Sequence, residues 1–161
     1  MIKIRRVQRA DKERLLKLVT HFLKKQRRKM VPKKLLPLIR YKNYDEHLRE
    51  DTEGYVRLNP KEAVLFVAED NNELIGYIYG RVLNRPKKVF SKVGMVEDWF
   101  VEEKYRGRKV GAMLWKKLIE WFKNKGCNCL ELDVYPKNKH AVNIYRKLGF
   151  IDEVVKMTKK L

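Results

Sequence analysis

The stretch Arg106-Gly107-Arg108-Lys109-Val110-Gly111-Ala112 has the makings of an anion site. It leaves an apolar run of strand type and opens a run of helix type. A glycine-containing turn at such a joint leaves backbone N–H groups unpaired and pointing the same way, and the helix dipole adds positive potential there. Arg106, Arg108 and Lys109 add formal charge. A pyrophosphate satisfies these conditions, although many ordinary strand-to-helix turns also contain a glycine. A second group is a pair of acids. Glu97 and Asp98 interrupt the apolar run Val93-Gly94-Met95-Val96-Glu97-Asp98-Trp99-Phe100-Val101. Whichever carboxylate turns inward loses water, and its pKa rises toward the range useful to a general base. The bland alternative is a solvent-facing or salt-bridged acid.

The elements that must position these groups follow from periodicity. Ile2–Val7 alternates as a strand. Asp11 suits a helix start before Leu15, Leu18, Val19 and Phe22. Residues 24–42 are basic and broken by Pro32 and Pro37, so a loop joins this helix to a second one around His47 and Leu48. Ala63–Glu69 and Leu74–Val82 are β-rich and flank Asp70-Asn71-Asn72-Glu73, a hairpin signal. Val93–Val101 is the next strand. Val110, Leu114, Leu118, Trp121 and Phe122 share a helix face that ends at Gly126. Leu130–Val134 is a strand, Ala141, Ile144, Tyr145 and Leu148 line an amphipathic helix, and Ile151–Met157 closes as a weaker strand. The order is β-α-α-β-β-β-α-β-α-β, an α/β fold with a mixed sheet flanked by helices.

The 161 residues carry a net charge of +19, densest over residues 1–60. That length fits a single domain spanning 1–161. No apolar run approaches the ~20 residues of a membrane span, and a cytoplasmic location follows by default. Cys127 and Cys129 lack the further ligands of a zinc site, so no metal is expected; they read as reduced structural thiols. His21, His47 and His140 lie in charged segments and read as surface. The charge attracts polyanions, or is the lysine-rich surface of a heat-adapted protein. Nucleic acid stays open as a partner, but no helix-turn-helix, zinc finger or aromatic RNA-binding signature accompanies the charge. A homodimer is neither required nor excluded.

The phosphate-seeking turn resembles the acyl-CoA signature of the GNAT superfamily of N-acetyltransferases, Gln/Arg-x-x-Gly-x-Gly/Ala. Lys109 departs from it, standing where the family usually has its middle glycine. A second resemblance is Asn138, then Ala141, Tyr145 and Gly149-Phe150. Together they cover roughly residues 93–151. The resemblance implies the GNAT fold, acetyl-CoA as acyl donor, and transfer by direct attack of an acceptor amine on a small molecule or protein. It implies a pantetheine arm paired with the backbone of Trp99, Phe100 and Val101, and a pyrophosphate cradled by Arg106, Gly107, Arg108, Lys109, Val110, Gly111 and Ala112. It implies Asn138 on the cofactor arm, or as a helix cap, and Tyr145 near the thioester sulfur as general acid. The Glu97-Asp98 run resembles spermidine/spermine N-acetyltransferases, which points to Glu97 as base, directly or through water. The basic segment 21–50 would rim the acceptor entrance and favour an amine bearing acidic groups over a polycation. The rival reading is a non-catalytic CoA-binding or nucleic-acid-associated module.

Overall fold

The computed structural model describes residues 1–39 and 41–161, with the side chains of residues 25–28 outside the description. Five strands form one sheet in the order β1-β2-β3-β4-β5. They are β1 (Lys3–Arg6), β2 (Ala63–Asp70), β3 (Glu73–Asn84), β4 (Lys92–Val101) and β5 (Cys129–Leu132). Neighbours run antiparallel except β4 and β5, which run parallel. The hairpin between β2 and β3 turns at Asn71 and Asn72, whose φ values of 47° and 65° suit a two-residue primed turn.

Helices cover both faces. On one side lie α1 (Lys12–His21) and α2 (Tyr44–Tyr55); α1 continues through a π-helical stretch, Phe22–Arg27, and a last turn, Arg28–Met30. Leu15, Leu18, Val19 and Leu48 pack there against Leu65, Val67, Tyr77 and Phe100. On the other side lies α3 (Val110–Asn124), whose Leu114, Leu118 and Phe122 pack on Val64, Phe66, Ile78 and Val96. Period-two alternation thus feeds two cores from one sheet, and for that reason the first six residues of β2 are all buried. Gly80 and Gly94 let α3 approach the sheet closely. A Cβ at either position would come within 2.7 Å of the Phe122 ring.

Asp11 fastens β1 to the start of α1. Its buried carboxylate accepts from Arg5 at 2.6 and 2.9 Å, from Arg14 at 2.5 Å and from the Gln8 amide at 2.8 Å. This cage holds the carboxyl down at about 2; the Arg5 hydrogen bond is the largest cause. The last helix is α4 (Lys139–Lys147). The expected closing strand over 151–157 is corrected: residues 151–161 carry no ladder. Their composition favours a strand, but a strand needs a partner. Here Asp152 is drawn instead to Arg146 on the exposed side of α4. No helix among the described residues is long and apolar enough to cross a membrane.

Candidate active site

The site begins at an irregularity in β4. Tyr79 of β3 pairs with Asp98 and Gly80 pairs with Val96, so Glu97 is an extra residue, a β-bulge. The bulge shifts the alternation. Val96 and Trp99 both contact the α3 side, while Glu97 and Asp98 both turn toward the α1/α2 side. It also coincides with the point where β4 and β5 part. The parallel ladder ends at Val96 and Leu132, and residues 97–101 keep β3 as their ladder partner on one side only. Their other edge lines a cleft. The amide of Glu102 bonds back to Ile75 of β3, so by alternation Trp99 and Val101 aim their backbone groups outward. The Val101 carbonyl accepts from Arg106 Nε at 3.2 Å.

The cleft runs into the turn Arg106–Lys109 and then α3. Gly107 has φ 76° and Lys109 φ 62°. The left-handed conformation that a glycine would adopt freely is therefore adopted by Lys109, at a cost of roughly 1–2 kcal/mol. No side chain caps α3. Its first amides, on Val110, Gly111 and Ala112, precede the first intrahelical bond, Met113 to Lys109 at 3.0 Å. Those amides, the dipole, and the exposed Arg106, Arg108 and Lys109 together present the groups that an anion needs. Gly111 lies over the Trp99 ring, which a Cβ there would meet in ordinary contact at 3.4 Å and a larger side chain would have to pass.

Tyr145 enters from α4. Its ring lies between Trp99, at 6.1 Å, and Phe150, at 5.9 Å. Burial, helped by the charge of Asp98, pushes its hydroxyl up to about 12. Asn138 is the N-cap of α4: its side-chain oxygen accepts from the Ala141 amide at 3.3 Å, and its Nδ2 lies 3.2 Å from Met30 Sδ. That contact ties the tail of α1 to the start of α4 across the cleft.

The two acids differ. Glu97 is paired with Arg81 of β3. Asp98 accepts a 3.4 Å hydrogen bond from the Tyr55 hydroxyl at the end of α2. Burial and then Asp98 push the Tyr55 hydroxyl up, while burial and then Glu97 do the same to Tyr79. The rings of Tyr55 and Tyr79 are 5.0 Å apart. Neither tyrosine was expected here. Tyr55 carries no local signal, and Tyr79 and Arg81 meet the acids on one sheet face only through the β3–β4 register and its bulge, which the sequence does not announce.

His21 corrects its surface reading. It is half-buried, its Nδ1 lies 2.8 Å from Glu102 Oε1, and it so joins α1 to the strand-to-turn joint. His47 sits against Tyr41, with ring centroids 4.1 Å apart, and His140 is exposed. Cys127 and Cys129 are free and half-buried. Two surface hollows, of about 310 and 380 Å³, are lined by residues 41–50 and 16–24; neither includes Glu97, Asp98 or Tyr145. No cluster among the described residues has the composition of a metal site.

The acetyltransferase (GNAT) family profile matches residues 18–150. An uncharacterized N-acetyltransferase of Methanocaldococcus jannaschii is 36 % identical over 95 residues, 56 % of this chain and 41 % of that protein. An N-alpha-acetyltransferase of Sulfurisphaera tokodaii is 32 % identical over 116 residues, 68 % of this chain and 64 % of that protein. The chain thus spans less than two thirds of either relative. The fold matches aminoglycoside N-acetyltransferase AAC(6')-Iy, solved with a CoA-containing bisubstrate analogue, with a TM-score of 0.74. Identity there is 21 %, with 100 % of this chain and 99 % of that one covered, a likeness of fold.

Proposed function

The chain belongs to the acetyltransferase (GNAT) family, and from that premise we propose that it moves an acetyl group from acetyl-CoA to a primary amine by direct attack. One observation carries this reading: the free edge of β4 is followed, after a 3-10 turn at Glu103–Tyr105, by the uncapped start of α3, with the Tyr145 ring 6.1 Å from that of Trp99. The donor supplies an activated acetyl group on a thiol leaving group. The residues present fit such a ligand. The amides of Val110, Gly111 and Ala112, with Arg106, Gly107, Arg108 and Lys109, would hold its phosphates. The outward backbone groups of Trp99 and Val101 would align its arm, with Phe100 between them bonded inward to β3 and Asn138 at the far wall. Outward amides on that edge offer donors where negative charge develops on the carbonyl oxygen.

Proton traffic falls to side chains on opposite walls. Tyr145 holds its proton well above neutral pH and gives it to the departing sulfur. Glu97 takes the proton of the incoming ammonium through water, since its carboxylate is already bridged to Arg81. The phenolate left on Tyr145 recovers a proton from the amine nitrogen once the C–N bond has formed. The acceptor enters from the α1/α2 side. Lys29, Lys33, Lys34 and Lys42 are exposed along that rim, whereas Lys24 is paired with Asp45. Lys25, Arg27, Arg28 and Arg40 of the same basic segment lie outside the described residues or side chains. This rim favours an amine that carries acidic groups over a polycation, an effect screened beyond ~8 Å at physiological salt.

Calorimetry tests the premise of the chemistry. Acetyl-CoA should bind at one site per chain, and Gly111→Trp should abolish binding, because the indole fills the cradle against Trp99. Equal affinity in both proteins would contradict the assignment of the turn.

A further inference from the structure

We infer that the hairpin loop 85–91, between β3 and β4, is a docking tip for an anionic lipid surface at the end of the molecule away from the cleft. Val89 and Phe90 stand at this tip, 92 % and 58 % exposed. Single apolar side chains are ordinary on a surface, but here two adjacent ones are held out together on an ordered turn. The last ladder pair is Asn84 with Lys92. Beyond it the Arg85 amide bonds the Ser91 carbonyl at 2.6 Å, and the Lys88 amide bonds the Arg85 carbonyl at 2.9 Å. The Arg85 side chain holds Glu131 of β5 at 2.5 and 2.7 Å. The loop is thus fastened at its base, and its two apolar side chains stay outside both cores.

Lysines surround the tip. Lys87 and Lys88 belong to the loop and are exposed. The Asn128 amide bonds the Lys92 carbonyl at 2.9 Å, which sets the end of α3, with the exposed Lys123, beside the root of the loop. Among the described residues, Lys87, Lys88, Lys92 and Lys123 stand in no ion pair. The acids nearby, Glu131 and Glu153, both act on Arg85.

Apolar side chains in front and cations behind are what a peripheral lipid contact needs. The tip enters the boundary between headgroups and acyl chains, while the ammonium groups stay among the phosphates. The residue types favour lipid over nucleic acid. An aliphatic side chain such as Val89 has no stacking use on a base. Nucleic-acid phosphates are met best by a forked guanidinium, and the one arginine of the loop is occupied by Glu131. Lys87 and Lys88 offer point charges, which suit the diffuse charge of a headgroup layer. β4 runs from Lys92 to Val101, so roughly 30 Å, at ~3.3 Å per residue, separates the loop from the turn that precedes α3. A molecule docked by this tip keeps its cleft open to donor and amine.

Co-sedimentation with vesicles tests this, using one set of phosphatidylcholine and one of equal parts phosphatidylcholine and phosphatidylglycerol. The full chain should bind the mixed vesicles and leave the neutral ones. Val89→Ser with Phe90→Ser keeps the net charge of +19 and changes only exposed side chains. Its Tm and its affinity for acetyl-CoA should therefore match wild type, while its affinity for the mixed vesicles falls about tenfold. Lys87→Gln with Lys88→Gln should weaken the same binding and leave Tm unchanged. A wild type that ignores the mixed vesicles overturns the inference. So does binding indifferent to the Val89 and Phe90 changes, because diffuse charge then suffices without the tip. A labelled single-stranded RNA that binds through these four side chains, while the mixed vesicles do not bind, would assign the tip to nucleic acid and overturn the lipid.

Discussion

At the scale of single residues, the two proposed proton carriers have different surroundings. Tyr145 is walled by Trp99 and Phe150 and is pushed up to about 12. Its proton is therefore present at every pH at which an amine assay is run, and no alkaline decline below about pH 10 belongs to it. Glu97→Gln removes the proposed proton acceptor and should lower kcat/KM about 10²-fold with donor affinity unchanged. A variant as fast as wild type would pass the role to Asp98, its neighbour on the same face. The types of these residues were legible in the sequence, and their company was not. Two carboxylates inside an apolar run announce a site, but only the bulge explains why both face α2, and only the β3 register brings Arg81 to Glu97.

At the scale of elements, the turn into α3 was the most legible part. Glycine placement, basic residues and the start of an amphipathic helix all fall within one short window. The structure adds that Lys109 takes the left-handed conformation itself. The first two helices, the hairpin and the sheet were legible for the same local reason: each has its own periodicity. The closing strand was not, because a ladder depends on what lies beside it rather than on the segment's own β propensity. Asp11 shows the reverse case. It was expected only at a helix start, yet it carries the junction of β1 with α1. Asp11→Ala leaves Arg5 without its main partner and should cost about 3 kcal/mol, the lower end for breaking a buried pair. Since the folded carboxyl sits at about 2 against 3.8, its stabilisation is present above the unfolded value and lost as pH falls through the folded one. Urea denaturation of both proteins at pH 7 and at pH 2 should therefore show a gap that narrows in acid.

At the scale of the molecule, the β4–β5 cleft divides the labour between the faces of the sheet. On the proposed reading, the α3 side offers the anion cradle and the core that supports it, and the α1/α2 side offers the acids and the way in for an amine. A net charge of +19 surrounds both and suits a phosphorylated donor. The central claim is that Tyr145 and the cradle serve one reaction, acetyl transfer to an amine. Its most direct measurement is thiol release from acetyl-CoA against a panel of spermine, an acidic amino compound and free N-terminal peptides, run with wild type and Tyr145→Phe. The account predicts amine-dependent release with acetylated amine in equal amount, the acidic compound preferred to spermine, and kcat lowered about 10²-fold in Tyr145→Phe with donor affinity unchanged. Release that ignores the amine, or a Tyr145→Phe enzyme as fast as wild type when chemistry limits the rate, would contradict it.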